Sequence, residues 1–401
     1  MASAGIIPEV ITCLFCGCTA GFGLYLLSLC ATKTPHRRSS FFAVAQLTYP
    51  RAAVFFDAAI AIKCLGVSFS YLIIIKNLMP NVVASLYHDL TSPDTNPPKW
   101  ALNGINWLLI FMIVLVPLCF LRRLDSLRHA SYIALFSVAY LVLIVVRCYF
   151  WPLEDMPSRG EVHLIHFTPD FVSTFPVQVF AFTCSQNLFP LYNEVTNNTQ
   201  TRMNTIIGGS IGGAVIIYEI IAIFGYLTFG SKVAANIIAM YPSTSLFIAV
   251  GQLAIVSLVL LSYPLQVHPC RNCLDKVFHF SHTLKSVSVD EHESEDEGML
   301  DEDHASTDMS TLKHTVLTTA ILTLGFSVAF MVDDLKMVLS FVGSTGSTTI
   351  SFILPGLFYW KLFQDDPSAR TKRLGALVLM MYGVCIFIFC LGFNVYQIMQ
   401  E

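Results

Sequence analysis

Long apolar runs dominate this 401-residue chain, and they constrain its fold more than any other feature. A helix needs about 20 mostly apolar residues to cross a bilayer core about 30 Å thick, and it satisfies its own backbone hydrogen bonds inside the lipid. Hydrophobic residues make up 55% of the sequence and charged residues only 12%, which is about half the usual share in a soluble domain. The sequence therefore predicts an all-α integral membrane protein.

Ten runs are long enough to cross the membrane, and prolines and glycines mark most of their ends. Together they predict a single transmembrane domain over residues 1–401. The predicted spans cover roughly residues 5–31, 52–79, 101–121, 127–149, 172–193, 203–229, 244–268, 314–332, 337–361 and 374–397.

Basic residues are concentrated in alternate loops between these spans. Because short loops rich in Lys and Arg stay in the cytosol, the bias predicts that both chain termini face away from it. The loops predicted to be cytosolic contain Lys33, Arg37, Arg38, Arg51, Arg122, Arg123, Arg128, Arg202, Arg271, Lys276, Lys285, Lys372 and Arg373. The opposite loops contain few basic residues, of which Lys99, Arg159 and Lys232 are typical.

The one long polar stretch, residues 275–313, is predicted to be a disordered acidic cytosolic loop. Residues 290–308 have the sequence DEHESEDEGMLDEDHASTD, and dense like charge of this kind prevents collapse. Two interpretations stay open: a solvated linker, or a regulatory segment phosphorylated at Ser286, Ser288 or Ser294. The net charge of −4 comes largely from this stretch and does not suggest a nucleic-acid partner.

Enzyme and metal-site motifs are missing from the sequence. It contains no HExxH or GxSxG motif and no paired-carboxylate arrangement, so we do not expect an enzyme. Two cysteine pairs have CxxC spacing, but neither has the second pair or the histidines of a zinc site. We therefore expect no metal site and no cofactor.

The fifth span looks interrupted in mid-membrane. A polar run there, Thr183, Cys184, Ser185, Gln186 and Asn187, is flanked by Pro176 and Pro190. Carriers use interrupted helices of this kind, because unwound backbone exposes N–H and C=O groups that can hold a small zwitterion or an ion. The alternative is hydrogen bonding between neighbouring helices, and we favour the binding site.

The ninth span contains a second candidate in Gly343-Ser344-Thr345-Gly346-Ser347-Thr348-Thr349. Ser344 and Thr345 are its predicted substrate-binding residues, and close helix packing by small residues is the alternative. Two ionisable residues lie midway along spans, where charges are costly: Lys63 in the second span and Glu219 in the sixth. They are predicted to pair with each other, to line a wet cavity, or to couple transport to an ion by relaying a proton.

Six stretches carry a resemblance to a known family. They are IAIKCLGVSFSYLIIIKNLMP at 60–80, PLCFLRRLDSLRHAS at 117–131, FTCSQNLFPLYNE at 182–194, IFGYLTFG at 223–230, LLSYPLQVHPCRN at 260–272 and FVGSTGSTTISFILPG at 341–356. Through them the chain resembles the amino acid/auxin permease family. Within that family it is most similar to the fungal vacuolar amino acid transporters related to the sodium-coupled neutral amino acid transporters.

The resemblance implies a LeuT-like fold, in which two inverted five-helix repeats precede one extra helix. The fifth span matches the first helix of the second repeat, so residues 183–187 inherit a role in substrate binding. Ser262 matches a helix that contributes a hydroxyl to a sodium site in the sodium-coupled members, which leaves sodium and proton coupling both open. The family's first helix, with its GAG-type break and PYA-like tripeptide, has no counterpart here and is expected to be missing.

Two functions follow as expectations from this resemblance. The first is a secondary active transporter that moves amino acids across a vacuolar or other endomembrane, coupled to protons or sodium, with the amino acid and membrane lipid as its partners. The second is an N-terminally truncated member that does not transport and acts as a sensor or regulator.

Overall fold

Thirteen α-helices make up most of the part of the chain that the computed structural model describes, which is residues 1–35, 37–90, 97–121, 130–287 and 309–400. Their bounds are α1 Ile6–Ala31, α2 Phe41–Thr48, α3 Ala53–Leu90, α4 Gly104–Cys119, α5 Ala130–Phe150, α6 Phe171–Ala181, α7 Leu188–Glu194, α8 Gln200–Phe229, α9 Leu246–Val287, α10 Thr311–Met331, α11 Leu335–Val342, α12 Leu354–Leu362 and α13 Arg370–Gln400.

Eight helical segments in these ranges are long and apolar enough to cross a membrane. The apolar helix α4 is shorter, and the fifth predicted span is divided between α6 and α7. Large apolar side chains such as Ile113, Leu135 and Met331 are exposed on the outside of the bundle, where lipid would cover them. The all-α, multi-pass membrane class is therefore confirmed, whereas the number of ten spans stays a prediction.

Helix α3 extends eleven residues beyond its predicted end at residue 79 and contains Pro80 in its interior. A proline there cannot bond to the carbonyl four residues earlier, which belongs to Lys76. Gly104 of α4 packs against that carbonyl so closely that an added Cβ would lie 2.2 Å from the oxygen. The helix therefore continues through Pro80, and α4 meets it where glycine leaves room.

Helix α9 likewise continues past its predicted end at residue 268, as far as Val287. The expectation of disorder over 275–313 is thus wrong for 275–287 and for 311–313, which are helical. Charge explains the difference, because the dense acidic residues begin only at Asp290. Ser286 falls in the last turn of α9, and residues 288–308, with Ser288 and Ser294, lie outside the described residues.

Arg271 is a buried part of α9 rather than the cytosolic loop residue that the charge pattern predicts. Its guanidinium donates to the Cys119 carbonyl at the end of α4 and to the Thr318 hydroxyl of α10, both at 3.0 Å. Burial of an arginine requires such partners. Arg271 therefore joins three helices, and the predicted orientation keeps its support from the other basic residues.

The core of the bundle lies where α3 packs along α9. The largest buried apolar cluster collects side chains from α1, α3, the divided fifth span and the ninth span, including Leu27, Cys64, Val179 and Phe352. A second cluster, around Ile144 and Phe229, joins the N-terminal half of α9 to α5 and α8. The two irregular spans thus belong to the first cluster.

Candidate functional site

The fifth span is broken where the polar run predicts it. Helix α6 ends at Ala181, a 3₁₀ turn covers Ser185–Asn187, and α7 begins at Leu188. Pro190 fits the restart, because it lies in the first turn of α7, where a missing N–H costs no helical hydrogen bond. The interruption is therefore confirmed, while substrate binding by residues 183–187 stays a prediction.

Backbone groups released by the break find some new partners. The carbonyl of Ala181 accepts a hydrogen bond from the Tyr218 hydroxyl of α8 at 2.9 Å. The N–H of Asn187 donates to the Cys184 carbonyl at 3.0 Å, which closes the 3₁₀ turn. Since unpaired backbone is costly in lipid, these bonds show how a broken helix is tolerated within the bundle.

The five side chains of the break point to different surroundings. Ser185 is buried, Thr183, Cys184 and Gln186 are half-buried, and Asn187 is exposed. The carbonyl oxygen of the Gln186 side chain is buried without a hydrogen-bond partner among the described residues. Gln186 thus has the acceptor that is most available for a ligand, and Asn187 faces away from the buried part of the site.

The ninth span widens instead of breaking. Between α11 and α12 the chain forms two π-helical turns, Gly343–Ser347 and Thr349–Ile353. The hydroxyls of Ser344 and Thr345 both donate to the Phe341 carbonyl, at 3.2 and 2.6 Å. Turns of this kind are often found at functional sites, yet these two hydroxyls are bound within their own helix. Their predicted role in binding stays a prediction.

Glycines bring the ninth span against its neighbours. A Cβ on Gly343 would lie 2.0 Å from the Pro176 carbonyl oxygen of α6, and one on Gly346 would lie 2.6 Å from Cβ of Lys63 in α3. Contact this close allows only hydrogen at the glycine positions. The expected alternative, close packing by small residues, is thus realised at both glycines.

The two irregular segments meet through a pair of hydroxyls. Ser351 donates to the Thr183 hydroxyl at 3.3 Å, and Thr183 donates to the Val179 carbonyl at 2.8 Å. The Ser351 carbonyl also faces Gly23 of α1, where an added Cβ would lie 2.2 Å from it. Ser351 is not among the predicted site residues, and its only signal in the sequence is a hydroxyl side chain two residues after the Gly-Ser-Thr run.

Lys63 lies beside both irregular segments. It is 3% exposed, its Cβ is close to Gly346, and the thiol of Cys184 is among the ionisable groups that act on it. Within the described residues it forms no ion pair, so the expected pairing with Glu219 is wrong. The two charges belong to different clusters, since Cys64 and Cys184 are the ionisable groups that act on Lys63, whereas Cys13 and Glu9 act on Glu219.

Glu219 belongs to a second group of polar residues, on α1, α6 and α8. Glu9 and Cys13 of α1 are the ionisable side chains that act on it. Gln178 of α6 donates to one Glu9 oxygen, and the amino group of Met1 lies 3.4 Å from the other. The Cys13 thiol is the side chain placed to donate to Glu219, and neither Glu219 oxygen has another hydrogen-bond partner among the described residues. Glu9 and Gln178 were missed, since they lie near the start of one span and on an apolar face of another.

Ser262 stands apart from both groups. It lies half-buried on α9, two residues before Pro264. Among the described residues, no hydrogen bond joins it to another predicted site residue. The sodium-site role implied by resemblance therefore stays a prediction.

With this geometry in place, comparison with known proteins gives the family. The sequence model of the family described as "Transmembrane amino acid transporter protein" matches residues 1–400. The chain belongs to this family. The resemblance drawn from the six stretches is therefore confirmed. The family is one of transporters and not of enzymes.

Individual relatives agree with this assignment. Vacuolar amino acid transporter 5 of Schizosaccharomyces pombe is 41% identical over 403 residues, which cover 98% of this chain and 88% of the relative. Vacuolar amino acid transporter 6 of Saccharomyces cerevisiae is 34% identical over 421 residues, which cover 96% and 92%. Vacuolar amino acid transporter 5 of the same yeast is also 34% identical, over 415 residues.

One solved structure overlaps most of the chain. It is MhsT in complex with L-phenylalanine, which is 11% identical and covers 96% of this chain and 92% of its own, with a TM-score of 0.43. A TM-score this low does not establish how the helices of this chain are arranged. The inverted repeats and the missing first helix remain predictions.

Proposed function

We propose that the protein carries amino acids across the vacuolar membrane. The observation that carries the proposal is the break at residues 182–187, which lies inside the bundle and meets the ninth span at Ser351. The names of its fungal relatives support both the substrate class and the membrane.

The break offers complementary groups for a zwitterion. The half-buried Gln186 has an unpartnered carbonyl oxygen that suits an α-ammonium group. Lys63, buried beside Cys184, has a cation that suits an α-carboxylate. In this proposal the two groups fix the backbone of the amino acid, and the apolar residues around them accommodate its side chain.

We further propose that protons drive this transport through Glu219. Support comes from a carboxylate on a membrane helix that has no hydrogen-bond partner among the described residues other than the Cys13 thiol, next to a second carboxylate at Glu9. Tyr218, the neighbour of Glu219 on α8, holds the Ala181 carbonyl at the broken end of α6. A change of charge at Glu219 therefore has a short path to the substrate groups.

Uptake into proteoliposomes tests both parts of the proposal. Purified full chain is reconstituted, and tritiated L-leucine, L-glutamine, L-lysine and L-glutamate are offered separately under a pH gradient, a sodium gradient or neither. We expect accumulation of at least one amino acid with the pH gradient. Accumulation driven by sodium alone would contradict proton coupling, and no flux of any probe under any gradient would contradict the carrier function.

Ser351→Ala is the variant that links this flux to the break. It removes the donor to Thr183, and we expect uptake to fall about tenfold, which corresponds to about 1.4 kcal/mol. Ser327→Ala is the matched control, because the Ser327 hydroxyl is exposed on the outside of α10 and, among the residues that the structure describes, bonds only to the Thr323 carbonyl. Equal loss in both variants would argue against a role for the break.

A further inference from the structure

A polar cavity lies at the opposite end of α6 from the break. It has a volume of about 270 Å³ and forms where α6 and α11 begin and α13 ends. Its polar lining consists of Asp170, Ser173, Asp334, Lys336, Ser340, Asn394 and Gln397. The eleven residues of α6 place it roughly 16 Å from the break, so the two sites are separate.

The floor of this cavity is built from buried polar side chains. Ser340 and Asn394 are 2% and 4% exposed. The Ser340 hydroxyl donates to the Ser173 carbonyl at 2.6 Å, and the Asn394 amide donates to the Ser340 hydroxyl at 2.8 Å. These bonds join the three helices beneath the cavity. A floor held in this way keeps its shape without a ligand.

The rim carries charged groups that are only partly used within the protein. Asp170 occupies the N-cap position of α6, yet its side chain does not cap that helix and instead accepts from Gln397 at 3.4 Å. Asp334 caps α11 with one oxygen, bonded to the Met337 N–H at 3.2 Å, which leaves its other oxygen free to bind. Lys336 forms no ion pair within the described part of the chain. Two carboxylates and one ammonium group therefore share the mouth of one small cavity.

We propose that this cavity binds a free amino acid as a zwitterion before it reaches the break. Asp170 and Asp334 hold its α-ammonium group, and Lys336 holds its α-carboxylate. The volume lies just below the range of about 300–1,000 Å³ found for drug-sized ligands, which suits one amino acid and not a peptide. The site faces the side that the charge pattern predicts to be opposite the cytosol, so it collects substrate from the lumen.

The two helices that form the cavity are also those that contain the irregular segments. Ser340 lies three residues before Gly343, where the ninth span widens, and Ser173 lies three residues before Pro176, which contacts Gly343. A ligand at the rim is therefore joined through rigid contacts to the helices that shape the break. The inference rests on the proposed function for its ligand class alone, since the cavity and its charges are independent of it.

Binding stoichiometry tests the inference directly. Full chain in nanodiscs is titrated with tritiated L-leucine, L-glutamine, L-lysine and L-glutamate, and bound label is counted per chain. We expect two sites per chain for a transported probe in the unaltered protein. Asp170→Asn with Asp334→Asn should leave one site, because asparagine keeps the bond from Gln397 and the cap of α11 but removes both charges.

Two further variants and a control separate this inference from the proposed function. Thr183→Val with Ser351→Ala should remove the site at the break and leave one site, which Lys336→Gln should then weaken at least tenfold. Glu154→Gln removes an exposed carboxylate predicted to lie on the same side, and it should change nothing. Monodisperse elution on gel filtration checks that each variant is folded.

The possible outcomes are distinct. One site per chain that is lost with the break variants and unchanged by the aspartate variants overturns this inference and leaves the carrier function standing. One site that is lost with the aspartate variants and unchanged by the break variants supports the cavity and contradicts binding at the break. Absence of binding for every probe overturns both.

Discussion

The hydroxyl of Ser351 donates to that of Thr183 across 3.3 Å, and this bond joins the two irregular spans of the bundle. The Thr183 hydroxyl in turn donates to the Val179 carbonyl near the end of α6, so the two bonds form a chain. Hydrogen bonds in series polarise one another, so the pair holds the end of α6 more firmly than either bond would alone. The carbonyl of Ser351 against Gly23 brings α1 to the same point.

Replacing Thr183 tests this bond through two variants. Thr183→Val keeps the shape of the side chain but leaves the Ser351 hydroxyl without its acceptor, so we expect uptake to fall about tenfold, or about 1.4 kcal/mol. Thr183→Ser restores the acceptor and should recover most of the uptake. The measurement is initial uptake rate in proteoliposomes, and equal rates for the two variants would show that the hydroxyl has no part in transport.

Lys63→Met should separate stability from function. A buried ammonium group without an ion pair costs free energy, so an apolar side chain of similar length should stabilise the fold by about 1–3 kcal/mol. The same change removes the cation proposed to hold the substrate carboxylate, so uptake should be lost. Thermal unfolding in detergent and uptake in liposomes measure the two effects. A lower melting temperature would mean that the Lys63 charge supports the fold.

Lys76→Met, on the same helix, should lower the stability of the fold rather than raise it. The Lys76 ammonium donates to the Ala329 carbonyl at 2.7 Å and the Val332 carbonyl at 3.3 Å, and it pairs with Asp333 at 2.6 Å. It thus satisfies carbonyls at the end of α10, where a cation is favoured. Because Asp333 is mostly exposed, we expect a modest loss of about 1–2 kcal/mol in unfolding free energy. A melting temperature that rises as for Lys63→Met would contradict this cap.

Sequence and structure agree where a local pattern decides the outcome. Two prolines around a polar run were enough to predict the break near residues 183–187. Prolines remove helical hydrogen bonds and polar side chains compete for them, and both act on the backbone close to them in sequence. The partners of charged residues were less predictable. Lys63 and Glu219 both lie within membrane spans, yet they belong to different groups of polar residues. Ser351, Glu9 and Gln178 acquire their partners from helices far away in sequence. Nothing in one sequence indicates which faces of two helices will meet.

Gly343→Ala should damage the packing of the ninth span. Its Cβ would lie 2.0 Å from a backbone oxygen at Pro176, which cannot move without shifting α6. We expect a loss of about 1–3 kcal/mol, as for other overpacked positions, together with slower uptake. Gly208→Ala is the control, because nothing lies within 4 Å of its added Cβ, and alanine in a helix should be neutral or slightly stabilising. Similar melting temperatures for the two variants would refute the close contact.

Glu219→Gln tests the source of the driving force. Glutamine keeps the size of the side chain but cannot exchange a proton, so accumulation under a pH gradient should be lost, while exchange of labelled for unlabelled amino acid across the membrane persists. Exchange needs the substrate site but no net proton movement, and it therefore shows whether the variant is folded.

Glu9→Gln, which keeps an acceptor for Gln178, should change the pH dependence less, since only one Glu9 oxygen lacks a hydrogen bond. Glu154→Gln, an exposed carboxylate outside the cluster, should leave accumulation unchanged. If Glu219→Gln accumulates substrate with an unaltered pH profile, the proton is carried elsewhere, and Glu219 has no part in the coupling.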